Sequence, residues 1–311
     1  LYVSYSLRNL LDNAHALVVV RKLLDRLTFN VPEVVTASPD SARVGLLHQS
    51  LAVSGSRVML AWTTQTAAGN TIWVRELRSK TPAVAVAQGQ VENPTLTIGT
   101  DGTVVVGWND WGSNRLLCAT SEDGQRFTSP VLIARSALGL GQSIPALADV
   151  LVTPALCLKA VPGKAGGLVA AYTDLAQTTD VWLTRSFDNG QTWEAPSRVN
   201  DQEAGDQFNP ALAVDGQGNV SVSFQDTRLD ASRETVNVYL ARSADGGATF
   251  GANERLSEQA SNTSRSNPNR IGIVNLGERT GLASRGKEGW IAVWTDTRMG
   301  SEDIFMSLPK Q

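Results

Sequence analysis

Apolar and polar residues alternate with a period of two along most of the chain, and the alternating runs come in pairs. Residues 209–226 (NPALAVDGQGNVSVSFQD) and 93–110 (NPTLTIGTDGTVVVGWND) each set two runs around a glycine-containing turn and end in aromatic-x-Asp. That pattern predicts two antiparallel strands joined by a hairpin. Looser copies stand at 50–64 (SLAVSGSRVMLAWTT) and 281–296 (GLASRGKEGWIAVWTD), while 166–174 (GGLVAAYTD) and the opening LYVSYS keep only the second strand. A third apolar run follows each copy: 16–22, 71–77, 115–121, 180–186, 237–243 and 303–309. In four copies a turn and a short fourth run come next, as in VPEVVTA, SPVLIARS, APSRVN and ANERLS.

Four short antiparallel strands repeated at this period predict an all-β fold, a six-bladed β-propeller of four-stranded blades. One blade cannot bury both of its faces alone, so neighbouring blades stack and share a continuous core. The reading gives one domain over residues 1–311, with the first blade short of its innermost strand and the last short of its fourth. Those deficits either complement each other in ring closure or mark a chain that is processed or part of a longer one. RNLLDNAHALVVVRKLLDRL has some helical propensity, but LVVV and the repeat register assign a strand there.

Composition narrows the chemistry. Hydrophobic residues make up 42%, charged residues 18%, and 27 basic against 30 acidic side chains leave a net charge of −3. No clustered basic surface points to nucleic acid, and no apolar run approaches the ~18 residues of a membrane span. Two cysteines (Cys118, Cys157) and two histidines (His15, His48) do not supply a four-ligand zinc site. The cysteines lie in apolar strand patterns and read as buried thiols, with a disulfide between neighbouring strands as the alternative. No Asp-x-Asp-x-Asp-Gly loop offers a calcium cage. The expectation is no metal and no cofactor. Asn219 and Asn262 head two N-glycosylation sequons.

SFDNGQTW (186–193) and SADGGATF (243–250) share the frame Ser-x-Asp-x-Gly-x-Thr-aromatic. Asp188 and Asp245 are suited to accept turn N–H groups, Gly190 and Gly247 to adopt angles other residues avoid, and Trp193 and Phe250 to pin the loop by packing. Ser186, Thr192, Ser243 and Thr249 complete the two frames. Two further copies look degraded: TSEDGQRF (120–127), with Glu122 at the Asp position, and KLLDRLTF (22–29). The turn resembles the Asp-box, or BNR repeat, of sialidase-like propellers. With DQFNPALAVDGQGNVSVSFQDTR and GERTGLASRGKEGWIAVWTDTR, the chain is similar to bacterial secreted BNR-repeat proteins. The resemblance implies a secreted or cell-surface protein that meets glycan, and a turn that clasps strands three and four on the face opposite the ligand.

The other face, formed by loops from strand two to three and from blade to blade, carries Asp110, Trp111, Asp174, Asp226, Arg228, Asp296 and Arg298. These are the ligand-binding candidates. An arginine fork matches a carboxylate, and a tryptophan offers a platform for a sugar ring. The alternative is architectural: Asp226 with Arg228, and Asp296 with Arg298, recur in equivalent DTR strings and would clamp adjacent blades. The sialidase resemblance also implies an arginine triad, a Tyr nucleophile paired with Glu, and an Asp acid/base. The Arg-Ile-Pro motif is absent, Arg270-Ile271-Gly272 being the nearest string, and Tyr2, Tyr5, Tyr172 and Tyr239 give no assignable nucleophile. Catalytic residues therefore stay unassigned. The reading is a noncatalytic propeller that binds glycan or a protein partner or serves as a scaffold, with an exo-α-sialidase or related glycoside hydrolase as the alternative.

Overall fold

Alternating runs become antiparallel ladders in the computed structural model, which describes residues 2–8, 15–22, 28–38, 45–147, 149–263, 276, 280–299 and 302–309. Blade 1 holds β1 (Tyr2–Arg8), β2 (His15–Arg21) and β3 (Glu33–Ser38). Blade 2 holds β4 (Gly45–Ser54), β5 (Arg57–Thr66), β6 (Gly69–Glu76) and β7 (Val84–Gly89). Blade 3 holds β8 (Val91–Ile98), β9 (Val104–Asp110), β10 (Arg115–Ser121) and β11 (Val131–Arg135). Blade 4 holds β12 (Cys157–Ala160), β13 (Leu168–Leu175), β14 (Thr179–Ser186) and β15 (Ser197–Arg198). Blade 5 holds β16 (Gln207–Val214), β17 (Val220–Asp226), β18 (Thr235–Ser243) and β19 (Glu254–Arg255), with β20 (Ser261–Asn262) also on β18. Blade 6 holds β21 (Gly281–Ser284), β22 (Trp290–Asp296) and β23 (Asp303–Ser307).

The protein is a six-bladed β-propeller. Among the described residues its first and last blades have three strands each, as the repeat register predicts. Two strands were missed: β7 is a fourth strand in blade 2, in a stretch (VAVAQG) whose alternation is interrupted by small residues, and β20 is a two-residue strand on β18. The KLLDRLTF copy of the turn and the Arg270-Ile271-Gly272 string fall largely or wholly outside the described residues.

Middle strands explain why their sequences read as near-continuous apolar runs. Each is sandwiched, so successive side chains serve different neighbours. On β5, Val58, Leu60 and Trp62 pack toward blade 1, while Met59 and Ala61 pack toward blade 3. On β13, Leu168, Ala170 and Tyr172 face blade 3, and Val169 and Ala171 face blade 5. In blades 2 to 6 the aromatic that closes the second strand (Trp62, Trp108, Tyr172, Phe224, Trp294) thus faces the preceding blade.

First strands carry a repeated irregularity. The register of β4, β8 and β16 slips against the second strand between Leu47 and Ser50, Glu92 and Thr95, and Phe208 and Ala211. His48, Asn93 and Asn209 sit in these bulges at φ between 47° and 55°, and Ala155 just before β12 matches them. Such bulges bend a strand and turn its side chains.

Candidate functional site

Antiparallel pairing puts the hairpin turns and strand-three-to-four turns on one face, and the aromatic-x-Asp loops on the other. On the hairpin face the repeated turn is a hydrogen-bonded clasp. Ser186 Oγ accepts from the Gly190 N–H at 2.9 Å and donates to Asp188 at 2.8 Å; Asp188 accepts from the Thr192 N–H and hydroxyl. Ser243, Asp245, Gly247 and Thr249 repeat the arrangement bond for bond. Gly190 and Gly247 stand at φ 81° and 86°, and a Cβ at Gly247 would meet Leu183 at 2.8 Å. Trp193 and Phe250 are half-buried against the cores of blades 3–4 and 4–5.

The third copy corrects the sequence reading. Asp123, not Glu122, takes the carboxylate role, accepting from the Gln125 and Arg126 N–H groups, while Ser121 Oγ accepts from the Gly124 N–H. The turn is one residue shorter and intact; aligning it without a gap displaced the Asp. Hydrogen bonds from Ser243 and Thr249 hold the Asp245 carboxyl below the usual aspartate range. For Asp188, burial pushes the other way, but bonds from Thr192 and Ser186 outweigh it.

On the opposite face, every strand-end carboxylate among the candidates is already bonded within the protein. Asp110 accepts from the Ser113 hydroxyl at 2.6 Å and lies 3.6 Å from Arg115. Asp174 reaches across to blade 3 and accepts from the Ala137 N–H at 2.7 Å and the Ser136 hydroxyl. Asp226 and Asp296 are buried beneath their own arginines. Arg228 binds Asp226, Asp201 and Asn253 and lies over the Tyr239 ring at 4.2 Å. Arg298 binds Asp296 and the Gln259 carbonyl and lies over Phe305 at 4.4 Å. Burial raises the Asp226 carboxyl above its ordinary value against the pull of Arg228; at Asp296 the bonds from Arg298 and Trp294 outweigh burial and hold it low. Trp111 is half-buried; its backbone N–H donates to the Gln90 carbonyl, and its indole Nε1 is buried without a partner.

Around Arg228 runs a buried polar seam between blades 4 and 5. Asp206 accepts from Thr179 and Arg233, and Gln207 donates to Asp226. Asn200 donates to Asp180, whose carboxyl is raised by burial although that bond opposes the shift. Tyr172 and Tyr239 are both buried in inter-blade packing, and burial raises both phenols. Neither Cys118 nor Cys157 is in a disulfide: Cys118 lies under Gly190, its pKa pushed up to about 12 by burial, and Cys157 donates to the Pro210 carbonyl.

The sequence reading missed a roof over this face. The connection from β11 to β12, described over residues 136–147 and 149–156, folds back across it. Leu138, Ile144, Ala146, Leu147 and Val152 are buried with Phe208, Val236 and Leu276 from the blade 5 side. A Gln142–Val152 bridge closes the loop, and the Thr263 hydroxyl donates to the Ala146 carbonyl. Near the bulged first strands a small pocket of about 150 Å³ lies beside Asn93, Ala155, Cys157 and Thr280. Larger clefts lie elsewhere: about 760 Å³ beside the clasps of blades 3 and 4, and about 560 Å³ between blades 1 and 2.

No protein-family model matches the sequence, and no curated protein matches it. By shape the chain is similar to an ulvan lyase of polysaccharide lyase family PL25, at TM-score 0.54 and 9% identity over 99% of this chain and 89% of that one. It is also similar to a Dyadobacter fermentans protein of unknown function, at TM-score 0.52 and 15% identity over 86% and 96% of the two chains. A third is the Penicillium chrysogenum α-L-arabinanase complexed with arabinobiose, at 0.51 and 13% over 84% and 77%. At these identities the likeness shows the propeller fold alone.

Proposed function

We propose that this protein is an extracytoplasmic, glycan-binding propeller that carries no hydrolytic machinery of its own. The observation that carries the reading is the state of the face where a propeller glycosidase would work: Asp110, Asp174, Asp226 and Asp296, with Arg228 and Arg298, are bonded internally, and the β11–β12 connection packs over the blade 5 side of that face. A general acid and base need reach to substrate, and Arg228, already bound to two acidic partners, has few donors left for a ligand carboxylate. The same bonds make the DTR strings inter-blade clamps. Trp111 is the rim candidate left for ligand, through its half-exposed ring. Glycan is the favoured partner because two of the similar folds are an ulvan lyase and an arabinanase holding arabinobiose. The Ser-x-Asp clasps support the Asp-box kinship and a place outside the cytoplasm.

A glycan array with the purified protein, run beside hydrolysis of fluorogenic sialosides and arabinofuranosides, tests this. Saccharide binding without turnover is the expected result. Turnover would overturn the noncatalytic reading, and a blank array with no turnover would leave a scaffold.

A further inference from the structure

A cleft of about 560 Å³ lies between blades 1 and 2, where blade 2 lacks the arginine clamp of blades 5 and 6. Blades 5 and 6 end their second strands in FQDTR and WTDTR, and the arginine covers the third-strand aromatic of the same blade. Blade 2 reads WTTQT: Thr64 and Thr66 stand where Asp226 and Arg228, or Asp296 and Arg298, stand in the repeat. Trp73 pairs with Trp62 as Tyr239 pairs with Phe224 and Phe305 with Trp294. No clamp arginine reaches it from Thr66, and its half-exposed ring lines the cleft instead.

The rest of the lining is rich in donors and cations. Trp73 Nε1 donates to the Thr64 hydroxyl at 2.9 Å, which fixes the ring. Trp62 Nε1 and Arg75 Nε are both buried without a hydrogen-bond partner, and Arg75 donates from Nη1 to the Val35 carbonyl. Arg75 and Lys80 line the cleft, and among the described residues no carboxylate does, although the chain as a whole carries −3. Buried donors favour an acceptor, two cations favour an anion and disfavour a cationic guest, and an open indole face favours the C–H side of a sugar ring. The volume suits one or two sugar residues.

We propose that this cleft binds an acidic saccharide, with a sugar ring against Trp73 and a carboxylate at Arg75 and Lys80. The inference rests on the glycan-binding reading and adds the ligand's charge class and its place. The test is calorimetric titration of the purified protein with trigalacturonate, with neutral galactotriose and a sulfated galactose disaccharide as comparison arms. Trigalacturonate should bind, more weakly as salt rises, and galactotriose should bind at least tenfold more weakly. The sulfated arm separates carboxylate from sulfate recognition; equal or tighter binding there replaces the carboxylate assignment. Thr64→Asp/Thr66→Arg should restore the clamp, fill the cleft and reduce trigalacturonate affinity at least tenfold with the melting temperature maintained or raised. Lys80→Glu, at an exposed position, should weaken binding without touching the fold. Unchanged affinity in a folded Thr64→Asp/Thr66→Arg protein and in Lys80→Glu would overturn the location. Equal affinity for the neutral trisaccharide would overturn the charge class. No binding of trigalacturonate, by a protein that binds other glycans, overturns this inference alone; no binding of any saccharide ends the glycan reading itself.

Discussion

Arg228 donates from Nε to the Asp226 carboxylate at 2.7 Å, and that carboxylate is wholly buried. The pair is two residues apart in sequence, yet its remaining donors run outward to Asp201 and Asn253 on neighbouring loops. A short local motif thereby ties blade 5 to the connection from blade 4.

Removing the arginine alone should be severe. Arg228→Met is expected to destabilise the protein by about 3–5 kcal/mol, because it strands a buried carboxylate. Asp226→Asn/Arg228→Met should recover part of that loss. Urea denaturation midpoints of the two variants check it; a midpoint unchanged in Arg228→Met would mean that the pair is free for ligand.

Within the clasps the serine matters more than the aspartate. Ser186 is buried and its Oγ accepts from the buried Gly190 N–H, while Thr192, served by Asp188, is exposed. Ser186→Ala should lower stability by about 1–3 kcal/mol through the unpaired donor, and Asp188→Ala by about 1 kcal/mol. Paired thermal melts of both variants test the order.

The clasp carboxylates also set a response to acid. Asp188 and Asp245 have folded values below the ordinary 3.8. Their contribution is therefore complete above the unfolded value and lost as pH falls through the folded one. Denaturation followed below pH 4 should show stability declining with net proton uptake on unfolding. Asp188→Asn/Asp245→Asn should flatten that slope.

Asp180 has the opposite sign. Burial raises its folded value above 3.8, so its contribution is fully present below the unfolded value and lost as pH rises through the raised one. Asp180→Asn keeps an oxygen for the Asn200 amide and removes the buried charge. The variant should be more stable than the parent at pH 7, with the gap closing toward pH 4. Urea midpoints at the two pH values decide it.

The roof should be held by its apolar underside. Phe208 is fully buried against Leu138, Ile144 and Leu147, so Phe208→Ala is expected to lower stability by about 3–5 kcal/mol. Proteolysis of the native protein should then shift toward residues 136–156. A resistant loop in that variant would show that other bonds hold it.

Blade number and the clasps were legible in the sequence because both are local. Alternation over six or seven residues specifies a strand, and Ser-x-Asp with glycine specifies a turn whose bonds close within five residues. Only an omitted gap hid the third clasp at Ser121 and Asp123, and only small residues hid β7. The fate of the other face was decided in three dimensions. Asp226 and Arg228 read in sequence as a clamp more readily than as a binding rim, but their partners Asp201, Asn253 and Tyr239, distant in sequence, could not be read there. Residues 136–156 have no strand period, so their burial depends on Phe208 and Val236 meeting them from blade 5. The exchange of Asp and Arg for Thr64 and Thr66 is written in the chain. That Trp73 is left uncovered beside a cleft follows only from packing, because the repeat puts it where Tyr239 and Phe305 lie beneath an arginine.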